Sequence, residues 1–269
     1  MAKTPLIQPA PARSAAVPAS GQRLSKRLAA QLPCSRSDAE RHIAAGSVRV
    51  DGVPVELPQA RVRDEQTVTI DAQARPPALA GLTLLWHKPA GQALPAGAPL
   101  PEAVAALLFA PEHRCPADRS GLRVLQAQHR KLLPLAALQP MASGLMAFTQ
   151  NPGVARKLLD EAAPIEHEWL LEVAADPGLQ DPARRAAVCQ SLAQPLFFNG
   201  RALACARASW QSELRLRLAI KGTLAGQVEH LAERAGLRLN AVRRLRLGRV
   251  ALAGLVPGQW RYLCDNERF

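Results

Sequence analysis

The stretch RLSKRLAAQLPCSRSDAERHIAAGSVRVDGVPV, residues 23–55, decides how the first part of this chain folds. Leu24, Leu28 and Leu32 recur at i, i+4 and i+8, which is one apolar stripe of a helix, with Arg23, Lys26 and Arg27 on a different face. Ser35 or Ser37 can cap a second helix, and Ser37 with Glu40 fits a reciprocal capping box. That helix is predicted to run to about Ala45, with Gly46 as a left-handed stop. Val48 and Val50 then alternate, Asp51-Gly52 supplies a tight turn, and Val53 and Val55 alternate again, which spells a hairpin. Two short helices and a hairpin would place Arg23, Lys26, Arg36 and Arg41 on one side as a basic platform.

Working outward, the charge balance agrees with such a platform. The chain has 269 residues, a formal net charge of +12 and a sequence pI near 10.5. A folded chain this basic favours a polyanionic partner, nucleic acid or an anionic membrane. No apolar run approaches the ~18 residues that span a bilayer, and the N-terminus lacks the apolar core of a signal peptide, so no membrane role is expected. Five widely spaced cysteines without a CxxC pair, and six histidines without ligand spacing, imply free thiols, a reducing cytoplasmic compartment and no metal.

Residues 1–21 are rich in Ala and Pro and read as a flexible basic tail. From Met1 to Ser37 there are six Lys or Arg and no Asp or Glu. The basic module occupies 22–71. Residues 72–81, DAQARPPALA, read as a linker broken by two prolines. A second domain, 82–269, alternates strand-like runs (Leu82–His87, Leu145–Thr149, Trp169–Val173, Leu214–Ile220) with helical stretches. In LRLRLAI the leucines alternate with arginines, which predicts a sheet with one buried and one basic face. Without βαβ regularity the pattern favours an α+β fold with a mixed, mainly antiparallel sheet.

Residues 23–55 resemble the small RNA-binding module named after the fourth protein of the small ribosomal subunit, the S-four module. The rest of the chain resembles the bacterial ribosomal RNA pseudouridine synthases that carry this module, most nearly the dual-specificity branch acting on ribosomal and transfer RNA. LLWHKPAG is similar to the family's strand ending in N-K-P-x-G. LPLAALQPMASGLMAFTQN aligns with the nucleophile motif P-x-G-R-L-D-x-x-[TS]-[SE]-G-L-x-x-x-T. IEHEWLLEV stands where the family has x-x-K-x-Y-x-V-x-V. GQVEHLAERAG takes the place of a basic R-Q-x-R-R-M helix, and the chain closes on the family's G-x-W-R-x-L.

The resemblance implies a cofactor-free isomerisation of uridine to pseudouridine in structured RNA, by a monomer, through one aspartate. Here that position is Gln139, the arginine two before it is Ala137, and the glycine is Ala136. An amide is a poor nucleophile and a poor base. No Asp or Glu lies between Asp118 and Asp160, so a shifted alignment does not restore the carboxylate. The base-stacking tyrosine becomes Trp169, expected to line the pocket, and the lysine two before it becomes His167. Asp118, in a DRSGL stretch, is the alternative nucleophile, although a surface turn is its plainer reading. Trp86, Trp210 and Trp260 are expected in the core, and His87 and Lys88 could approach a phosphate. Arg243, Arg244 and Arg246 belong to an arginine-rich segment expected beside an RNA cleft. Three readings stay open: an RNA-binding protein that has lost the chemistry, a working synthase with a relocated nucleophile, and a structural or protein-interaction module whose positive charge is incidental.

Overall fold

The computed structural model describes residues 21–32, 34–71, 81–94, 98–122, 124–160, 164–195, 197–202, 204–222 and 224–269. The expected tail and linker lie outside them, apart from Gly21 and Gly81. The elements fall into two compact units, one from Gln22 to Ile70 and one from Thr83 to Tyr262.

In the first unit β1 (Gln22–Arg23) leads into α1 (Leu24–Gln31) and α2 (Arg36–Ala44). The strands β2 (Val48–Val50), β3 (Val53–Pro54), β4 (Arg61–Val62) and β5 (Val68–Ile70) follow. Leu24 and Leu28 of the predicted stripe are buried with Ala39, Ile43, Val48 and Val62 in one apolar cluster. Each large member contributes roughly 1.5–3 kcal/mol by leaving water. The capping box forms two positions earlier than the Ser37–Glu40 reading. Ser35 Oγ accepts from Asp38 N (3.1 Å) and Asp38 Oδ2 accepts from Ser35 N (3.3 Å). Glu40 instead pairs with Arg36 one turn back, at 3.4 Å. α2 stops at Ala44, with Gly46 left-handed (φ 67°) and Ser47 N donating to His42 O. Asp51 and Gly52 both have positive φ (51° and 81°), the tight hairpin turn that a D-G pair selects. Two pairings were not legible locally: β5 completes a three-stranded sheet beside β2, and β4 pairs with β1.

The second unit runs β6 (Thr83–Lys88), α3 (Glu102–Leu108), β7 (Leu133–Leu135), β8 (Ser143–Thr149), α4 (Pro152–Leu159), β9 (Glu166–Val173) and α5 (Pro182–Leu192). It continues with β10 (Phe197–Phe198), β11 (Arg201–Ala202), β12 (Arg207–Ser212), β13 (Arg215–Lys221), α6 (Gln227–Arg234), β14 (Leu239–Leu247), β15 (Val250–Ala251) and β16 (Trp260–Tyr262). Seven strands form a sheet in the order β12-β13-β9-β14-β8-β6-β16, with β7 against β8 and β15 against β14. Every pairing in this sheet is antiparallel except β14 with β8. The α+β class with a mainly antiparallel sheet is therefore observed.

Alternation along the strands sorts the two faces. Leu216, Leu218 and Ile220 of β13 and Trp169, Leu171 and Val173 of β9 enter the main core. Trp86 and Trp260 are buried there, and Trp210 packs on it half-buried. Arg215 and Arg217 face outward as expected, but that face is not simply basic. Glu166, Glu168 and Glu172 project beside them from β9. Arg217 donates to Glu168 at 2.7 Å, and Arg246 bridges Glu168 (2.9 Å) and Glu166 (2.7 Å).

The parallel pair β14–β8 consists of Arg243 opposite Ser143 and Arg244 opposite Gly144. Gly144 has φ 112°, and a Cβ there would lie 2.3 Å from Arg244 O and 2.5 Å from Arg244 N. Only glycine permits this approach. Gly144→Ala is therefore expected to destabilise the chain by about 2 kcal/mol or more, read as a lower urea midpoint.

Candidate functional site

In the first unit an open groove of about 840 Å³ is lined by Arg23, Lys26, Arg36, Arg61 and Arg63, with Asp64 and Glu65 at one end. Three of the five predicted module cations meet here. Arg27 is turned aside to Asp64 at 3.2 Å, and Arg41 is held by Asp38 one turn back, so neither lines the groove. Arg61 and Arg63 escaped the sequence reading. Their signal was the R-V-R alternation, which buries Val62 and exposes both arginines.

In the second unit, the loop between β7 and β8 is held by two buried cations. Lys88, fully buried at the end of β6, donates to Pro140 O (2.7 Å), Ala142 O (2.7 Å) and Pro89 O (3.0 Å). Burial pushes its pKa down to about 8, so it stays protonated at neutral pH. Arg244, also fully buried, donates to Leu145 O (2.7 Å) and to Ala136 O, and its guanidinium lies 5.2 Å from the centre of the Trp169 ring. Among the described residues no carboxylate pairs with either cation. Ala136 takes a left-handed φ of 50°, which for a residue with a Cβ costs roughly 1–2 kcal/mol.

Gln139 stands in this loop, half-buried. Its Nε2 lies 3.1 Å from where a Cβ on Gly226 would sit, and Gly226 (φ 85°) is the N-cap of α6. Beside it opens a cleft of about 570 Å³, the size of an ordinary ligand pocket. Ala136, Ala137, His167 and Gln227 line it, with the apolar Leu158, Leu159, Ile165 and Leu224 and the cations Arg201 and Lys221. Asp160, just past α4, is the one carboxylate among its described lining residues.

A family model described as the S4 domain matches residues 22–68, the stretch that builds the groove. Over 253 residues the sequence is 22% identical to the dual-specificity RNA pseudouridine synthase RluF of Escherichia coli (strain K12), covering 93% of this chain and 78% of that protein. The chain is a homologue of the RluF-type RNA pseudouridine synthases. An uncharacterized RNA pseudouridine synthase of Rickettsia bellii is 20% identical over 89% of this chain and 96% of its own length. The fold is that of a pseudouridylate synthase crystal structure, with a TM-score of 0.50 and 17% identity over 90% of this chain and 96% of that one.

Within this pseudouridine synthase homologue several expected site residues sit differently from their sequence reading. Trp169 does not line the cleft. It is 4% exposed, packed in the main core under Arg244, and its indole Nε1 is buried without a partner among the described residues. His87 and Lys88 are buried too, His87 through Nδ1 on Leu255 O (2.7 Å), so neither reaches a phosphate. Arg244 is buried and Arg246 is tied to glutamates, which leaves Arg243 as the exposed member of that trio. Asp118 stands in the exposed turn its sequence suggested, its N donating to Cys115 O at 3.0 Å, but its carboxylate is turned inward and does not line the cleft. Its side chain is 2% exposed. Its oxygens accept from Arg114 Nε (3.1 Å), Tyr262 N (3.1 Å) and Ser120 N (2.8 Å). Burial alone would raise its pKa, yet these hydrogen bonds hold it below the usual carboxylate range. It anchors the segment beside β16. Among the described residues no group of three or more His, Cys, Asp or Glu could hold a metal, and no helix is long and apolar enough to cross a membrane.

His167 is buried at the cleft wall, and burial, reinforced by Arg244, pushes its pKa from 6.5 down to about 3. The unfolded chain takes up a proton on His167 below pH 6.5, while the folded chain resists until near pH 3. Folding stability is thus lost as pH falls across that window. His167→Gln is expected to flatten this loss, measured as the change in urea midpoint between pH 7 and pH 4.5.

Proposed function

We propose that this chain binds structured RNA through the S4 groove and has lost the isomerase chemistry of its relatives. The observation that carries the reading is the neutral amide of Gln139 at the position of the family's nucleophilic aspartate. The surrounding losses agree with it: alanine at 136 and 137, histidine at 167, and tryptophan turned into the core at 169. The groove supplies the retained half of the function. Five cations in one concave surface suit the phosphates and shape of A-form RNA. The name of the Escherichia coli relative gives RNA as its substrate, and the family resemblance supports ribosomal RNA as the first target, with transfer RNA second. The five free thiols support a cytoplasmic protein, and the family resemblance supports a monomer.

A second reading, retained catalysis, is favoured by one observation: Asp160 is a carboxylate that lines the cleft. Incubating the purified chain with unmodified ribosomal and transfer RNA transcripts, and mapping pseudouridine by carbodiimide primer extension, separates the two. Absence of conversion, with RNA retained, is the expected result. Site-specific conversion that disappears in Asp160→Asn would establish the second reading instead. Replacing Arg23 and Lys26 together by Ala is expected to weaken RNA binding and to reduce the slope of log affinity against log salt by about 2. An unchanged slope removes the groove from the argument.

A further inference from the structure

We propose that Phe197 is a base-stacking residue that receives an unpaired RNA nucleobase at the mouth of the cleft. The inference rests on the RNA-binding reading and names what the second unit contributes to it. The chain has ten aromatic residues of the Phe, Trp and Tyr types. Nine are buried or half-buried; Phe197 is 70% exposed. Its exposure is imposed by the ribbon on which it stands. β10 and β11 are joined by Asn199-Gly200, both with positive φ (51° and 74°), the two-residue turn that fixes a hairpin's twist and register. Successive side chains on a strand point to opposite faces. Phe198 turns inward, its ring 5.2 Å from that of His230 on α6, so Phe197 is turned outward.

The ribbon also belongs to the cleft. Ala202, the cross-strand partner of Phe197, lines it together with Arg201. Two more exposed apolar side chains, Leu159 (58%) and Leu224 (40%), line the same opening, as does Lys221. An aromatic face, apolar walls and two cations are the chemistry by which proteins hold unpaired nucleotides: the ring stacks on the base and the cations meet the backbone. A protein partner would use the apolar surface and leave the cations without a role, and a paired helix offers no free base face to the ring.

The test uses the full chain, its Phe197→Ala and Phe197→Trp variants, and two RNA probes. One is a stem-loop carrying 2-aminopurine in its loop; the other is a fully paired duplex of the same stem. Phe197→Ala is expected to weaken stem-loop binding roughly 5- to 150-fold, to leave duplex binding and the thermal unfolding midpoint unchanged, and to abolish the fluorescence quenching seen on binding. Phe197→Trp should restore both affinity and quenching. Equal stem-loop affinity in wild type and Phe197→Ala would overturn the stacking role while leaving the RNA-binding reading intact, as would an equal loss on both probes. Failure of the wild type to bind either probe would overturn both readings.

Discussion

The large sheet is joined across a very short seam. β14 and β8 meet in parallel through two residue pairs, and at that seam Gly144 lies against the backbone of Arg244. On one side are β12, β13 and β9; on the other are β6 and β16. The Arg244 side chain continues the seam inward, donating to Leu145 O and Ala136 O and covering the Trp169 ring. A fully buried guanidinium is costly unless its donors are met. Here two carbonyls and an aromatic face meet it, and burial pulls its pKa down to about 9 without discharging it at neutral pH. Lys88 repeats the arrangement from β6. The loop that carries Gln139 and the ring of Trp169 both rest against this seam's arginine.

The outer sheet face and the groove of the first unit pair their cations differently. On the outer sheet face Arg207, Arg217 and Arg246 are matched by Glu166 and Glu168. The hydrogen bond from Arg246, with Arg207 alongside, holds the Glu166 carboxyl below the ordinary range. Such a face attracts a polyanion weakly. In the first unit five cations line one groove against two carboxylates, so its field survives. A composition of +12 therefore says that a polyanion is favoured, and the pairing marks this groove as the candidate surface for it.

Much of the fold was legible because it was written locally. The i, i+4 leucines, the glycine stop, the Asp-Gly turn and the Leu-Arg alternation each fix a backbone state within a few residues. What escaped depends on contacts distant in sequence. The choice of Ser35 over Ser37 turned on Asp38 reaching back to the Ser35 N–H. The burial of Arg244 could not be read from a run of arginines, since the parallel register with Gly144 places it. Asp118 sits in the turn its sequence suggested, but the anchoring of its carboxylate was not legible because Arg114 and Tyr262 meet it only in the folded chain. Trp169 was read from its alignment position, but its large ring packs inward beneath Arg244. In the candidate site the absence of a carboxylate at 139 was visible at once, while the cleft-lining Asp160 required the fold.

The left-handed Ala136 and the two cations on its loop have a consequence for how such a protein evolves. The two cations grip the loop through main-chain oxygens, those of Ala136, Pro140 and Ala142. None of these bonds reads a side chain, and the backbone conformation persists even with alanine where a glycine is favoured. These hydrogen bonds therefore make no demand on the side chain at position 139. An amide and a carboxylate leave the same main-chain bonds intact, so the grip on the loop outlasts a change of chemistry at that position.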